Sequence, residues 1–210
     1  GLAKSLVSDY TIDQSLRFNA GDDPYLIRTP GSASNRKTWT YSCWFKKDTD
    51  NSSGETPTLL YAGNFQLYLI RSNHALGDKL YVHQGGTVLA TTAVYRDPSA
   101  WYHIVLAVDT TQDVDSDRVK LYVNGDQVTA FTTESYPSED ADWDVNNNID
   151  HTIGSSYYSS SASESIGGYL AEVYLIDGLQ LTPSSFGETD SATNQWKPID
   201  ASDLTFGTNG

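Results

Sequence analysis

The chain contains no methionine and a single cysteine, Cys43, among its 210 residues. A lone cysteine excludes an intrachain disulfide, so the fold must stand on packing alone. The sequence also opens on Gly1, and with methionine absent this reads as a processed chain or excised module whose targeting signal lies elsewhere. No apolar run reaches the roughly 18 residues that a membrane helix needs, and the N-terminal stretch lacks the basic start and apolar centre of a signal peptide. Positive charge is scarce: 13 Lys and Arg against 27 Asp and Glu give a net charge of -14. Binding to nucleic acid draws its affinity from Lys and Arg displacing counterions, so nucleic acid and anionic membranes are excluded as partners. The acidic excess leaves two explanations, a hydrated surface or carboxylates that bind a hard cation such as Ca2+.

Helical periodicity is missing as well, and what replaces it is period two. Trp39, Tyr41, Cys43 and Phe45 alternate with Thr40, Ser42 and Trp44, and Phe65, Leu67 and Leu69 alternate with Gln66 and Tyr68. This is the pattern of strands with one face on a core. Further strands are expected at 15–19, 24–29, 58–62, 79–83, 87–92, 101–109, 118–123, 127–131, 150–154 and 168–177. Gly85-Gly86 and Asn124-Gly125 suit two-residue hairpin turns, because those residues accept positive φ. A helical turn is expected after Thr182, where Pro183 fits the first helical position. The polar stretches 47–57, 110–117, 132–149 and 155–166 read as loops, the last two long enough to be functional or mobile. The expected fold is all-β, a two-sheet antiparallel sandwich or jelly roll, formed by residues 1–190. Residues 191–210 are expected to be an extension or a linker to a following module.

Trp101-Tyr102-His103-Ile104-Val105, Asp109 and the run Val119 to Gly125 together resemble the paired-strand signature of laminin G-like and pentraxin-like domains of the concanavalin A-like lectin/glucanase group. Ser15 to Asp23 is similar to that family's opening strand and acidic turn, and Ile153-Gly154 with Gly168 to Val173 is similar to its closing strand. Residues 168–190, Gln195 to Pro198 and the closing Phe206 to Gly210 resemble modules of tailed-phage virion proteins, particularly fibre-like surface proteins. The resemblance implies a scaffold whose loops bind or present, located on the virion surface or, alternatively, secreted. Fold alone does not fix function.

The residues that could carry chemistry are few. Retaining glycosidases need two carboxylates about 5 Å apart, which the family's hydrolases supply as Glu-x-Asp-x-x-Glu; the nearest approach here, Glu139 to Asp144, has the wrong spacing and falls in a loop, so no catalytic residue is assigned. His103 shares a strand face with Trp101 and Val105 and reads as a packed histidine, while His74, His83 and His151 have no ligand partner at metal-site spacing. Cys43 reads as a buried, inert thiol. Asp113 to Asp117 starts like an EF-hand loop but has Arg118 where glycine is required. Asp22 and Asp23 occupy a turn after a strand, and the resemblance adds Glu172 as the distant acid of a structural Ca2+ site; a solvated turn is the other reading, and Ala171 replaces an aspartate common in relatives.

Exposed aromatics offer the other chemistry. Tyr136 and Trp143 in one long loop and Tyr157 and Tyr158 in the next could form a platform for sugar rings, with Asp and Asn side chains such as Asn147 bonding the hydroxyls. Alternatively these rings pin the loops or meet a neighbouring subunit. The function expected is a non-catalytic glycan-binding module of a phage virion protein that contacts the host surface and other virion subunits, as a homotrimer if it resembles fibre modules. A purely structural spacer is the alternative, and a polysaccharide hydrolase or lyase is the third.

Overall fold

A computed structural model describes residues 10–48, 56–70, 75, 77–158 and 161–210, with the Tyr158 side chain and all of His74 outside the described set. In chain order the strands are β1 (Leu16–Phe18), β2 (Leu26–Arg28), β3 (Thr38–Lys47), β4 (Thr58–Ala62), β5 (Phe65–Leu69), β6 (Leu80–Gln84), β7 (Thr87–Thr91), β8 (Tyr102–Asp109) and β9 (Val119–Val123). They continue with β10 (Asp126–Gln127), β11 (Phe131–Glu134), β12 (His151–Ile153), β13 (Ser156–Tyr158), β14 (Ser161–Ser163), β15 (Gly168–Asp177), β16 (Gly187–Thr189) and β17 (Trp196–Pro198). Two antiparallel sheets face each other, one six-stranded in the order β1-β15-β3-β8-β9-β10 and one seven-stranded in the order β11-β7-β6-β5-β4-β12-β2. The expected sandwich is the observed one.

The alternation seen in the sequence decides what lies between the sheets. Trp39, Tyr41, Cys43 and Phe45 of β3 meet Leu60, Phe65, Leu67, Leu80, Val82 and Leu89 of the opposite sheet in one buried cluster. Cys43 has no exposed surface, and burial pushes its thiol up to about 12. Ellman's reagent is therefore expected to leave the native protein unlabelled and to modify one thiol per chain in denaturant; rapid labelling of native protein would contradict this placement.

The central strands of the six-stranded sheet, β3, β8 and β9, are buried on both faces. Val105, Ala107, Tyr122 and Ile176 on its outer side are covered by Phe186 and Ala201, with Leu181, Leu204 and Phe206 packed alongside. A sheet covered on both sides needs apolar residues in both phases of its strands, which explains the unbroken Ile104-Val105-Leu106-Ala107-Val108 of β8. The cover comes from residues 179–206, so the segment expected to extend or link is folded against the sheet. Its end is held as firmly: the buried Asp177 carboxylate accepts the Asn209 backbone N–H at 3.0 Å and the Asn146 side-chain amide at 3.1 Å, and Arg28 donates to the Asn209 carbonyl at 2.8 Å.

Local signals held with particular exceptions. Asn124 and Gly125 both take positive φ, as the hairpin turn demands, whereas at the other expected turn only Gly85 does. Pro183–Ser185 forms a 3-10 turn, although Thr182 bonds Ser184 rather than capping it. The loop 110–117 runs into a one-turn helix α1 (Asp115–Arg118), and the loop 155–166 contains the hairpin β13–β14.

Candidate functional site

The tail covers the central strands of the six-stranded sheet on their outer side, and the outer face of the seven-stranded sheet carries rows of aromatic and polar side chains. Period two turns Gln66 and Tyr68 of β5 outward as Phe65, Leu67 and Leu69 turn in, and it does the same for Tyr81 and His83 of β6. The register then sets Tyr61 beside Gln66 and Gln66 beside His83 in one row, and Thr58, Tyr68 and Tyr81 in the next. Tyr68 and Tyr81 stack, with ring centroids 5.3 Å apart and planes 22° from parallel. Tyr68 and His83 are half-buried, while Tyr61, Gln66 and Tyr81 lie deeper at 6%, 8% and 9% exposure.

Polar groups beside the rings are fixed by one another. Gln66 Nε2 donates to Thr58 Oγ1 at 2.7 Å and to Glu164 Oε2 at 2.9 Å, and Ser156 Oγ donates to the same Glu164 oxygen at 3.1 Å. The Glu164 backbone carbonyl accepts the Thr58 N–H at 3.1 Å, which seats the β13–β14 hairpin beside β4. His83 Nδ1 donates to the Asn64 carbonyl at 3.0 Å, so its Nε2 is left as an acceptor. The result is a tyrosine pair flanked by an amide, a carboxylate, hydroxyls and an imidazole, suited to a ligand with apolar faces and hydroxyl edges.

Among the described residues the expected aromatic platform is not assembled, and the Tyr158 side chain lies outside them. Trp143 has no exposed surface and packs edge-on against Trp39 at 5.5 Å and beside Phe65 at 5.7 Å, so it is a core residue despite its polar neighbours. Tyr136 follows β11 and its hydroxyl donates to Glu134, whereas Tyr157 belongs to the hairpin near β4 and β12 and lies 5.3 Å from Tyr25. β11 is one edge of the seven-stranded sheet and β12 is next to the other, so several strand spacings of about 4.8 Å separate the two tyrosines. Asn147 sits in a turn, its N–H donating to the Asp144 carbonyl and its side-chain oxygen accepting from the Asn148 N–H. The tyrosines of the sheet face were missed because each reads alone as an outward strand position. Only the β5–β6 register makes a pair of them.

The proposed calcium ligands are also apart. β1 runs antiparallel to β15 with Phe18 opposite Gly168, so Glu172 lies four residue steps, about 13 Å, along the strand from the end that leads to Asp22 and Asp23. Both Glu172 oxygens accept phenol hydroxyls, one from Tyr10 at 2.8 Å and one from Tyr174. Burial first and then this carboxylate push both phenols up, Tyr10 to about 12. Asp22 accepts from Asn19 at 2.7 Å, and Ser165 donates to Asp23 at 3.4 Å. Among the described residues no three His, Cys, Asp or Glu side chains are grouped as metal ligands, and Glu172 is not brought to Asp22 and Asp23. Arg118, where an EF-hand has glycine, fills the loop centre by donating to the carbonyls of Gln112, Asp113 and Pro137. The acids of 139–144 are divided among three cations, Asp142 and Asp144 on Arg36, Asp140 on Lys37 and Glu139 on Arg118, and do not face one another as a catalytic pair.

Comparison with known proteins agrees with the architecture. The family profile Laminin_G_3, of the concanavalin A-like lectin/glucanases superfamily, matches residues 19–184. Among solved structures, a Bacteroides ovatus protein proposed to bind carbohydrate superposes with a TM-score of 0.58 at 17% identity, over 83% of this chain and 46% of that one. Domain 4 of AbnA, an extracellular arabinanase from Geobacillus stearothermophilus solved in complex with arabinotriose, superposes with a TM-score of 0.55 at 18% identity, covering 84% of this chain and 76% of the other. A NanB sialidase variant from Streptococcus pneumoniae gives 0.54 at 13% identity, and there the chain spans only 28% of the larger protein. No curated protein matches the chain.

Proposed function

The chain belongs to the concanavalin A-like lectin/glucanases superfamily, and on that premise we propose that it is a non-catalytic carbohydrate-binding module whose site is the Tyr68–Tyr81 face of the seven-stranded sheet. The observation that carries the reading is the stacked tyrosine pair beside the bonded Gln66–Glu164–Ser156 group. Sugar C–H faces stack on the rings, and the amide and carboxylate take hydroxyl hydrogen bonds in an orientation already paid for by their mutual contacts. The arabinotriose complex of AbnA domain 4 supports this class of ligand and makes arabinotriose a sensible member of any probe panel. The resemblance of residues 168–190 to tailed-phage virion modules supports a place on a particle surface that contacts host glycan, with other virion subunits as neighbours and a homotrimer as the assembly.

Tyr68→Ala is expected to weaken retention on an immobilised polysaccharide about tenfold or more, a loss of about 1.4 kcal/mol, without moving the thermal midpoint by more than a few degrees. Unchanged retention in Tyr68→Ala and in Tyr81→Ala would remove this face from the function and favour the structural spacer.

A further inference from the structure

A second aromatic groove lies on the opposite side of the sandwich, where the segment 10–15 crosses the outer face of the six-stranded sheet. It encloses about 360 Å³ between Trp44, Trp101 and Pro198 on one side and Asp13, Gln14 and Ser15 on the other. We propose that this groove binds a neutral sugar ring, so that one chain holds two glycan strands on opposite faces.

Three features support the assignment. The aromatic wall is fixed: Trp44 stacks on His103 at 4.9 Å and 23°, and Trp101, half-buried and just outside β8, lies 6.4 Å from Tyr169. The facing wall is tethered through Tyr10, whose hydroxyl donates to Glu172 at 2.8 Å, so the groove exists before a ligand arrives. Finally, the side chains of Gln14 and Ser15 are exposed and make no hydrogen bond to other described residues, so their amide and hydroxyl are left for a ligand. The half-buried indole of Trp101, with the largely buried Trp44 beside it in the lining, and a carboxylate, an amide and a hydroxyl match a pyranose or furanose, which is apolar on its ring faces and polar at its edge. Asp13 is the charged side chain that lines the groove, in a protein of net charge -14, and this disfavours uronic and sialic acids and selects a neutral sugar.

This site is independent of the Tyr68–Tyr81 face, and a single set of titrations separates the two. The probes are neutral trisaccharides (arabinotriose, xylotriose, cellotriose and maltotriose) with sialyllactose as the acidic control, titrated into the unmutated chain, Trp101→Ala, Gln14→Ala and Tyr68→Ala by calorimetry and tryptophan fluorescence. The expected result is that at least one neutral trisaccharide perturbs tryptophan emission, that Trp101→Ala weakens this response about tenfold with Gln14→Ala weakening it less, and that Tyr68→Ala preserves it. Sialyllactose is expected to leave the emission unchanged. Silence of all four neutral sugars, or a response that survives Trp101→Ala and vanishes in Tyr68→Ala, would overturn the second site. Loss of the calorimetric signal in Tyr68→Ala with the emission response intact would leave both sites standing.

Discussion

Trp143→Ala is expected to destabilise the protein by about 3–5 kcal/mol, the cost of emptying a fully buried indole site. The residue follows a run of Ser, Glu and Asp, yet its ring touches Trp39 and Phe65 between the sheets. The loop is tied down on both sides of that ring, with the Trp143 N–H donating to the Arg36 carbonyl at 3.1 Å and Arg36 Nε donating to the Trp143 carbonyl at 2.6 Å. Urea unfolding should show a much lower midpoint at unchanged slope. Trp143→Phe should cost far less, because it keeps most of the packing and discards an indole N–H that has no partner in the core. Equal midpoints for Trp143→Ala and the unmutated protein would place the residue at the surface.

Acid is expected to weaken the fold through His103, the second large effect. Its ring has no exposed surface and lies between Trp44 at 4.9 Å and Trp196 at 5.9 Å, with Phe186 at 6.3 Å. Trp196 Nε1 donates to Nδ1 at 2.9 Å, so Nδ1 is unprotonated and Nε2 donates to Ser42 Oγ at 2.9 Å. Burial pushes the imidazole down to about 4, and protonation of Nδ1 would break the bond that fastens the tail. The folded pKa lies below the unfolded value of about 6.5, so the stabilisation is complete above that value and is lost as pH falls from about 6.5 to about 4. Integrated over that window the loss is about 3 kcal/mol. His151, also pushed down chiefly by burial, adds to it with the same sign. Urea midpoints at pH 7, 5.5 and 4 should therefore fall steeply in the unmutated chain and less in His103→Gln; parallel curves for the two would contradict the assignment. The tail's grip on this spot is steric as well, since a Cβ on Gly125, at φ +87°, would come within 2.5 Å of the Trp196 ring.

The strands were legible because burial imposes a period of two on residues such as Trp39 to Phe45, and a core of that kind needs no knowledge of its partners. The packing of residues 191–210 on the sheet was not legible because Trp196, Ala201, Leu204 and Phe206 are spread through Ser, Asp, Thr and Gly, and no local period reveals them. The apolar outer positions Val105 and Ala107 were the available hint, since a strand apolar in both phases has something on each side. Trp143 was misplaced by its polar context, which describes the loop's exposed residues and not the one ring that plugs the core. Tyr136 and Tyr157 were grouped because their loops are close in sequence, although the sheet order places them at opposite sides. Asp22, Asp23 and Glu172 were grouped by family resemblance, and the β1–β15 register separates them.

The most direct test of the account is a glycan-array screen of the unmutated module beside a Tyr68→Ala/Tyr81→Ala double variant, run with added calcium and with EDTA. Binding to a defined polysaccharide is expected, equal in the two buffers and strongly reduced in the double variant. Silence of the unmutated module across bacterial and algal glycans in both buffers would contradict it.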